Sequence, residues 1–179
     1  MIYMFLAEGF EEIEAIMPLD ILRRAGANIQ TVGIESNKAR GAHNIEIVAD
    51  TTLDKISDNI EMLILPGGMP GTDNLQKNED VIKTLMKAYE NGAYIAAICA
   101  APKIFGELGL LKGKKATCFP GFEKYLTGAV ITGKAVEIDN KIITSRGAGT
   151  ADKFGFALTS LLFGNEKADS LRKTMQFDG

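Results

Sequence analysis

Tryptophan is absent from this 179-residue chain, histidine occurs once and cysteine only twice. Two cysteines, Cys99 and Cys118, make no disulfide framework, and a reducing cytoplasm is the expected setting. Neither they nor the lone His43 form a cluster with metal-ligand spacing, so no metal is expected. Any Cys–His dyad would have to use His43. No apolar run approaches the roughly 20 residues that a membrane-spanning helix needs. The opening Met1-Ile2-Tyr3-Met4-Phe5-Leu6-Ala7 has no basic region and runs straight into acidic residues, unlike a signal peptide. The formal charge is only −3, with no basic stripe and no alternation of aromatics with arginine. Nucleic acid and membrane are therefore excluded as expected partners.

What is present is 46% hydrophobic and 24% charged, the balance of a soluble globular protein. The length suits one well-cored domain over residues 1–179. Its organising stretch is Ala93-Tyr94-Ile95-Ala96-Ala97-Ile98-Cys99-Ala100-Ala101-Pro102. An apolar, partly β-branched run reads as a strand buried on both faces. It breaks at a cysteine followed by small residues, and Pro102 suits the first turn of a helix continuing through Lys103–Leu108. Strand, tight turn with a nucleophile at the apex, helix: this is the layout of a nucleophile elbow, built on cysteine. The free N–H groups of the helix would favour thiolate at Cys99. The competing reading is a small buried hydrophobe.

Elsewhere the patterns predict strands at Ile2–Ala7, Asn28–Ile34, Ile45–Ala49, Glu61–Leu65, Lys115–Cys118, Val130–Thr132, Lys134–Asp139 and Lys141–Ser145, with a turn over Asn37–Gly41. Helices are expected over Glu11–Gly26, Glu79–Tyr89, Ala151–Phe163 and Asn165–Met175. Pro18 implies a kink or a late start in the first. Strands alternating with helices give an α/β class with a mostly parallel, doubly wound sheet. Ligands of such sheets sit beyond the carboxyl ends of the strands. Four segments converge there: Ala7–Glu14, Pro66–Gly71, Cys99–Pro102 and Arg146–Thr150.

Within them, Glu11 and Glu12 suit a helix dipole and solvent. Glu14 lies deeper, among Ile13, Ala15, Ile16 and Met17, where desolvation would raise its pKa and let it carry a proton near neutrality. Pro66-Gly67-Gly68-Met69-Pro70-Gly71 permits backbone N–H groups to approach a ligand oxygen. It is no P-loop, since no Gly-Lys-Ser/Thr follows. Gly147-Ala148-Gly149 lacks the third glycine and the acidic partner of a dinucleotide fingerprint. No cofactor is expected. Cys118 reads either as a buried strand cysteine or as a second thiol near the site.

With Glu11-Glu12-Ile13-Glu14, Pro18, Asp20, Arg23-Arg24-Ala25-Gly26, Leu65-Pro66-Gly67-Gly68, Ala96-Ala97-Ile98-Cys99-Ala100 and Thr144-Ser145-Arg146-Gly147 in this order, the chain resembles the DJ superfamily, the ThiJ/PfpI group. It is most like the DJ-one/bacterial ThiJ-like branch. The resemblance implies a flavodoxin-like three-layer α/β sandwich, a homodimer, and an elbow cysteine in a strained backbone conformation. It makes Cys99 the nucleophile, Glu14 a protonated acid hydrogen-bonded to it, and the Gly68 and Ala100 N–H groups donors to an oxyanion. Arg24 matches an arginine near the pocket, with Gly67 and Arg146 as further pocket candidates, and His43 falls where another arginine is common. The implied activity is cofactor-free conversion of reactive α-oxoaldehydes, methylglyoxal to lactate, or deglycation. The alternatives are an oxidative-stress sensor or protective chaperone whose cysteine becomes sulfinate, and a cysteine peptidase. Three positions depart from the pattern: Ala101 precedes Pro102 where several members have glycine, Ala148 replaces a proline after Arg-Gly, and Phe119 stands where some branches have a histidine. The last weakens the peptidase reading.

Overall fold

The computed structural model describes residues 1–177. In chain order the elements are β1 (Ile2–Leu6), α1 (Glu12–Ala25), β2 (Ile29–Gly33), β3 (Lys38–Arg40), β4 (Glu46–Val48), β5 (Thr51–Thr52), β6 (Met62–Leu65), α2 (Gly71–Lys77), α3 (Glu79–Glu90), β7 (Tyr94–Ile98), α4 (Pro102–Glu107), β8 (Lys115–Ala116), β9 (Val130–Ile131), β10 (Val136–Asp139), β11 (Ile142–Ser145), α5 (Ala151–Phe163) and α6 (Asn165–Thr174). Seven strands form the main sheet in the order β10-β11-β7-β6-β1-β2-β5. All neighbours are parallel except β10, which pairs antiparallel with β11 across a tight turn at Asn140.

The period-two alternation of β1 sorts its residues between two apolar layers. Ile2, Met4 and Leu6 face Ala15, Leu19 and Leu22 of α1 and Phe154 and Leu158 of α5. Tyr3, Phe5 and Ala7 face Leu75 of α2, Val81 and Leu85 of α3, and Ile104 and Phe105 of α4. Helices thus cover both faces, as the long apolar strands require. Gly155 sets how closely α5 approaches α1: a Cβ there would lie 2.8 Å from Ile21 Cδ1 and 3.0 Å from Pro18 Cα.

Three features differ from the sequence reading. The helix does not start late on account of Pro18; it runs from Glu12 through Pro18 to Ala25, closed by Gly26 in the left-handed region. Pro18, which cannot donate the usual helix hydrogen bond, sits where α1 packs against Gly155 of α5. The expected turn at Asn37–Gly41 contains β3, which pairs antiparallel with β4 as a ribbon separate from the main sheet. Lys38 and Arg40 look like turn residues because their charges face outward, where both meet Glu46, while only Ala39 between them is buried. Helix α2 is polar and seven residues long, with Leu75 its one large buried side chain, too little periodicity to read.

Candidate active site

The carboxyl ends of β6, β7 and β11 lie flush, with Leu65 opposite Ala97 and Ile98 opposite Ser145. The chain leaving β7 turns at once, and Cys99 takes φ of 65°, the left-handed region that side-chain-bearing residues rarely occupy. Such a conformation persists only where its surroundings over-determine it. Here the Cys99 N–H donates to Ser145 O at 2.9 Å, and the Cys99 carbonyl accepts from the Phe119 N–H at 2.8 Å.

From the first turn of α1, Glu14 reaches into this rim and is almost wholly buried. Its Oε2 accepts the Gly67 N–H at 3.0 Å, and its carboxyl also meets the Ala148 N–H and the Cys99 thiol. The Cys99 sulfur in turn receives the N–H groups of Gly68 and Ala100. Only a glycine fits at position 67. A Cβ there would lie 2.5 Å from Glu14 Oε2, 2.6 Å from Cys99 Cβ and 2.8 Å from Ile98 O.

Burial raises the Glu14 pKa to about 7, against the hydrogen bonds that favour its charged form. Burial, then the neighbouring Glu14 carboxylate, pushes the Cys99 thiol up to about 12. This is opposite to the direction expected from a helix terminus. Helix α4 has only six residues, and the Gly68 and Ala100 amides are outweighed by burial and a like charge. The two groups titrate as a pair that accommodates one negative charge and resists a second. That charge can sit on carboxylate beside thiol, or on sulfur beside a carboxylic acid that donates to it.

The other candidates are dispersed. Arg24 lies ten residues along α1 from Glu14, about 15 Å at 1.5 Å per residue, and its exposed Nε pairs with Asp20 at 2.8 Å. Arg146 lies at the rim beside Gly147, with its guanidinium donating to Gly133 O at 3.2 Å. His43 is exposed, and its Nδ1 bonds Glu12 Oε2 at 2.9 Å. Glu12 is not the solvent-facing residue expected. Its Oε1 accepts the His43 N–H at 2.8 Å and the Ile45 N–H at 3.4 Å, fastening the β3–β4 connection to α1. Nothing in the local sequence signals that partnership. Ligand atoms of Glu11, Glu12 and His43 lie within 4.8 Å of one another, a grouping with the chemistry to hold a metal ion. Cys118 is buried on the α3–α4 side of the sheet, with its thiol raised to about 12 by burial and Glu123. Among the described residues no helix is long and apolar enough to cross a membrane.

Residues 1–161 match the model of the DJ-1/PfpI family. Protein DJ-1 homolog B of Arabidopsis thaliana is 44% identical over 167 residues, 91% of this chain but only 38% of that protein. Deglycase PH1704 of Pyrococcus horikoshii is 29% identical over 78% of this chain and 86% of its own. Among solved structures, Drosophila melanogaster DJ-1beta superposes with a TM-score of 0.93 at 33% identity, covering 99% and 98% of the two chains. Oxidized Toxoplasma gondii DJ-1 gives 0.92 at 29% identity, with the same coverage.

Proposed function

Because the chain belongs to the DJ-1/PfpI family, whose matched members include a protein named deglycase, we propose that it is a cofactor-independent cysteine enzyme acting on small α-oxoaldehydes. The observation that carries this reading is the Cys99 sulfur, held between a buried Glu14 carboxyl and the N–H groups of Gly68 and Ala100. Glu14 takes the thiol proton, and the sulfur adds to the aldehyde carbon. The resulting oxyanion is held by the two amides and receives the proton back from Glu14, giving a hemithioacetal. The Glu14 carboxylate then removes the hydrogen on that carbon. The enediol so formed takes the proton up at the adjacent carbon while the hydroxyl proton passes between the two oxygens. One carbon is oxidised and its neighbour reduced, so no external oxidant is needed. Water hydrolyses the thioester, releasing the 2-hydroxy acid and the thiol. Methylglyoxal plus water gives lactate.

Cys99→Ser and Glu14→Gln should each abolish glutathione-free formation of lactate from methylglyoxal, as measured by enzymatic lactate assay. Near-wild-type turnover in either variant rejects the assignment. The same amides could hold the oxygens of a Cys99 sulfinate, which favours a redox sensor as the second reading. Gain of two oxygens at Cys99 on peroxide titration, with negligible aldehyde turnover, would select it. A peptidase finds no support in this arrangement, since the one imidazole is engaged by Glu12. A homodimer is part of the proposal. Ile13 and Ile16 of α1 and Ile45 just before β4 are exposed and line a depression of about 560 Å³, a surface suited to a second copy. The proposed setting is the cytoplasm, where both thiols stay reduced.

A further inference from the structure

The Phe119 ring occupies a place that the chemistry above does not use. Its backbone is fixed by the hydrogen bond to Cys99 O, and its ring packs edge-on against Phe122 with centroids 6.4 Å apart. Phe119 nevertheless remains 46% exposed, a large apolar surface on a residue whose backbone is hydrogen-bonded to that of Cys99. Its Cδ2 lies 3.2 Å from the point where a side chain at Gly147 would begin, and Glu14 Oε1 lies 3.7 Å from that same point. Ring and acid therefore flank one glycine. A cavity of about 280 Å³ opens there, lined by Phe119, Pro120 and the Arg146–Thr150 segment, Gly149 included.

The polar side chains of this lining each have a partner within the protein. The Thr150 hydroxyl donates to Gly147 O at 2.9 Å and lies 2.8 Å from Ser145 Oγ. Arg146 is directed to Gly133 O. What faces the space is a phenyl ring, a pyrrolidine ring, glycine backbone and the Ala148 methyl. Such a wall gains from every carbon that it removes from water.

We propose that this cavity is the subsite for the carbon substituent of the oxoaldehyde, and that Phe119 makes it select aryl and bulky alkyl groups over methyl. The assignment rests on the functional reading above, which places the aldehyde carbon at Cys99. The cavity is too small for a peptide but ample for one phenyl ring. A hydrophobic pocket discriminates by about tenfold or more for each methylene-sized difference, so an aryl group should be favoured over methyl by at least about tenfold.

The test has two arms. In the first, the alkylation rate of Cys99 by bromoacetophenone is compared with that by bromoacetone, each relative to a free small thiol. The rates are followed by intact mass, with Cys99→Ser as the blank. The aryl-to-methyl ratio should exceed that of the free thiol by about tenfold. It should fall back towards it in Phe119→Ala, while Phe119→Leu, which retains an apolar wall, keeps most of it. A ratio equal to that of the free thiol, or one unchanged in Phe119→Ala, overturns the proposal. In the second arm, kcat/KM is measured for phenylglyoxal and methylglyoxal, and the ratio should move in parallel. Selective alkylation without turnover of either aldehyde would reject the enzymatic reading and leave the apolar subsite standing. Turnover of both with a ratio indifferent to Phe119 would reject the subsite and leave the enzyme standing.

Discussion

Replacing Gly67 with alanine isolates the tight packing behind the thiol from every other property of the loop. Gly67 is not in the left-handed region, so the methyl adds no backbone strain and its whole effect comes from contact. Three heavy atoms stand within 3.0 Å of the new Cβ: Glu14 Oε2 at 2.5 Å, Cys99 Cβ at 2.6 Å and Ile98 O at 2.8 Å. Two belong to the end of β7 and the strained elbow, which the sheet holds, so Glu14 must give way. Overpacking of this kind costs about 1–3 kcal/mol, or a fall in Tm of roughly 2–12 °C for a chain of this size. A carboxyl displaced by about 1 Å loses about a hundredfold in rate, because Glu14 no longer receives the Gly67 N–H. Gly149→Ala is the control for stability alone, since it borders the proposed subsite but nothing lies within 4 Å of its Cβ, and its stability should change by no more than about 0.5 kcal/mol. Urea unfolding of both variants, together with lactate formation from methylglyoxal, reads the two effects. If Gly67→Ala matches Gly149→Ala in stability and wild type in turnover, the packing described around Glu14 is wrong.

His43 should titrate above its ordinary value of 6.5, held there by the Glu12 hydrogen bond and the charges of Glu11 and Glu12. NMR of the single imidazole should show Glu12→Gln moving it down. Since folding raises this group, protonated His43 stabilises the fold. That contribution is complete below the ordinary value and fades as pH climbs through the folded one; equal midpoints in both proteins would contradict the pairing. The Lys103–Asp73 ion pair joins α4 to α2, with side chains 11% and 33% exposed. Lys103→Met should cost about 1–2 kcal/mol by urea unfolding, less than the 3–5 kcal/mol of a fully buried pair because Asp73 keeps part of its hydration. Adding Asp73→Asn should recover part of the loss, and no recovery would mean that packing rather than charge is responsible.

The elbow was legible because its signals are local: a β-branched apolar run, a cysteine, two alanines and a proline at the first position of α4. Glu14 could be singled out because its neighbours turn apolar just where a surface helix would turn polar. The bounds of α5, Ala151–Phe163, coincide with those read from the sequence, since a continuous apolar segment between a glycine-rich loop and Gly164 leaves little choice. The ionisation of Cys99 was not legible. A helix terminus can be read from the residues after the cysteine, whereas burial by the sheet and the charge of Glu14 exist only once distant segments meet. Glu12 was misread for the same reason: its partners, His43 and Ile45, come from the ribbon that folds back over α1. Arg24 was grouped with the pocket by resemblance, but helix geometry carries it two to three turns away from Glu14.

The account depends most on a Glu14 carboxyl buried beside the sulfur, basic enough to take the thiol proton and acidic enough to return it. Titrating the Glu14 side-chain carboxyl by carbon-detected NMR, assigned through Glu14→Gln, tests this directly. The account predicts a carboxyl still protonated well above the ordinary value of 4.5, with its transition at about 7. A transition at the ordinary value would mean that Glu14 is solvated rather than buried beside the sulfur, a carboxylate too weakly basic to take the thiol proton, and would contradict the mechanism.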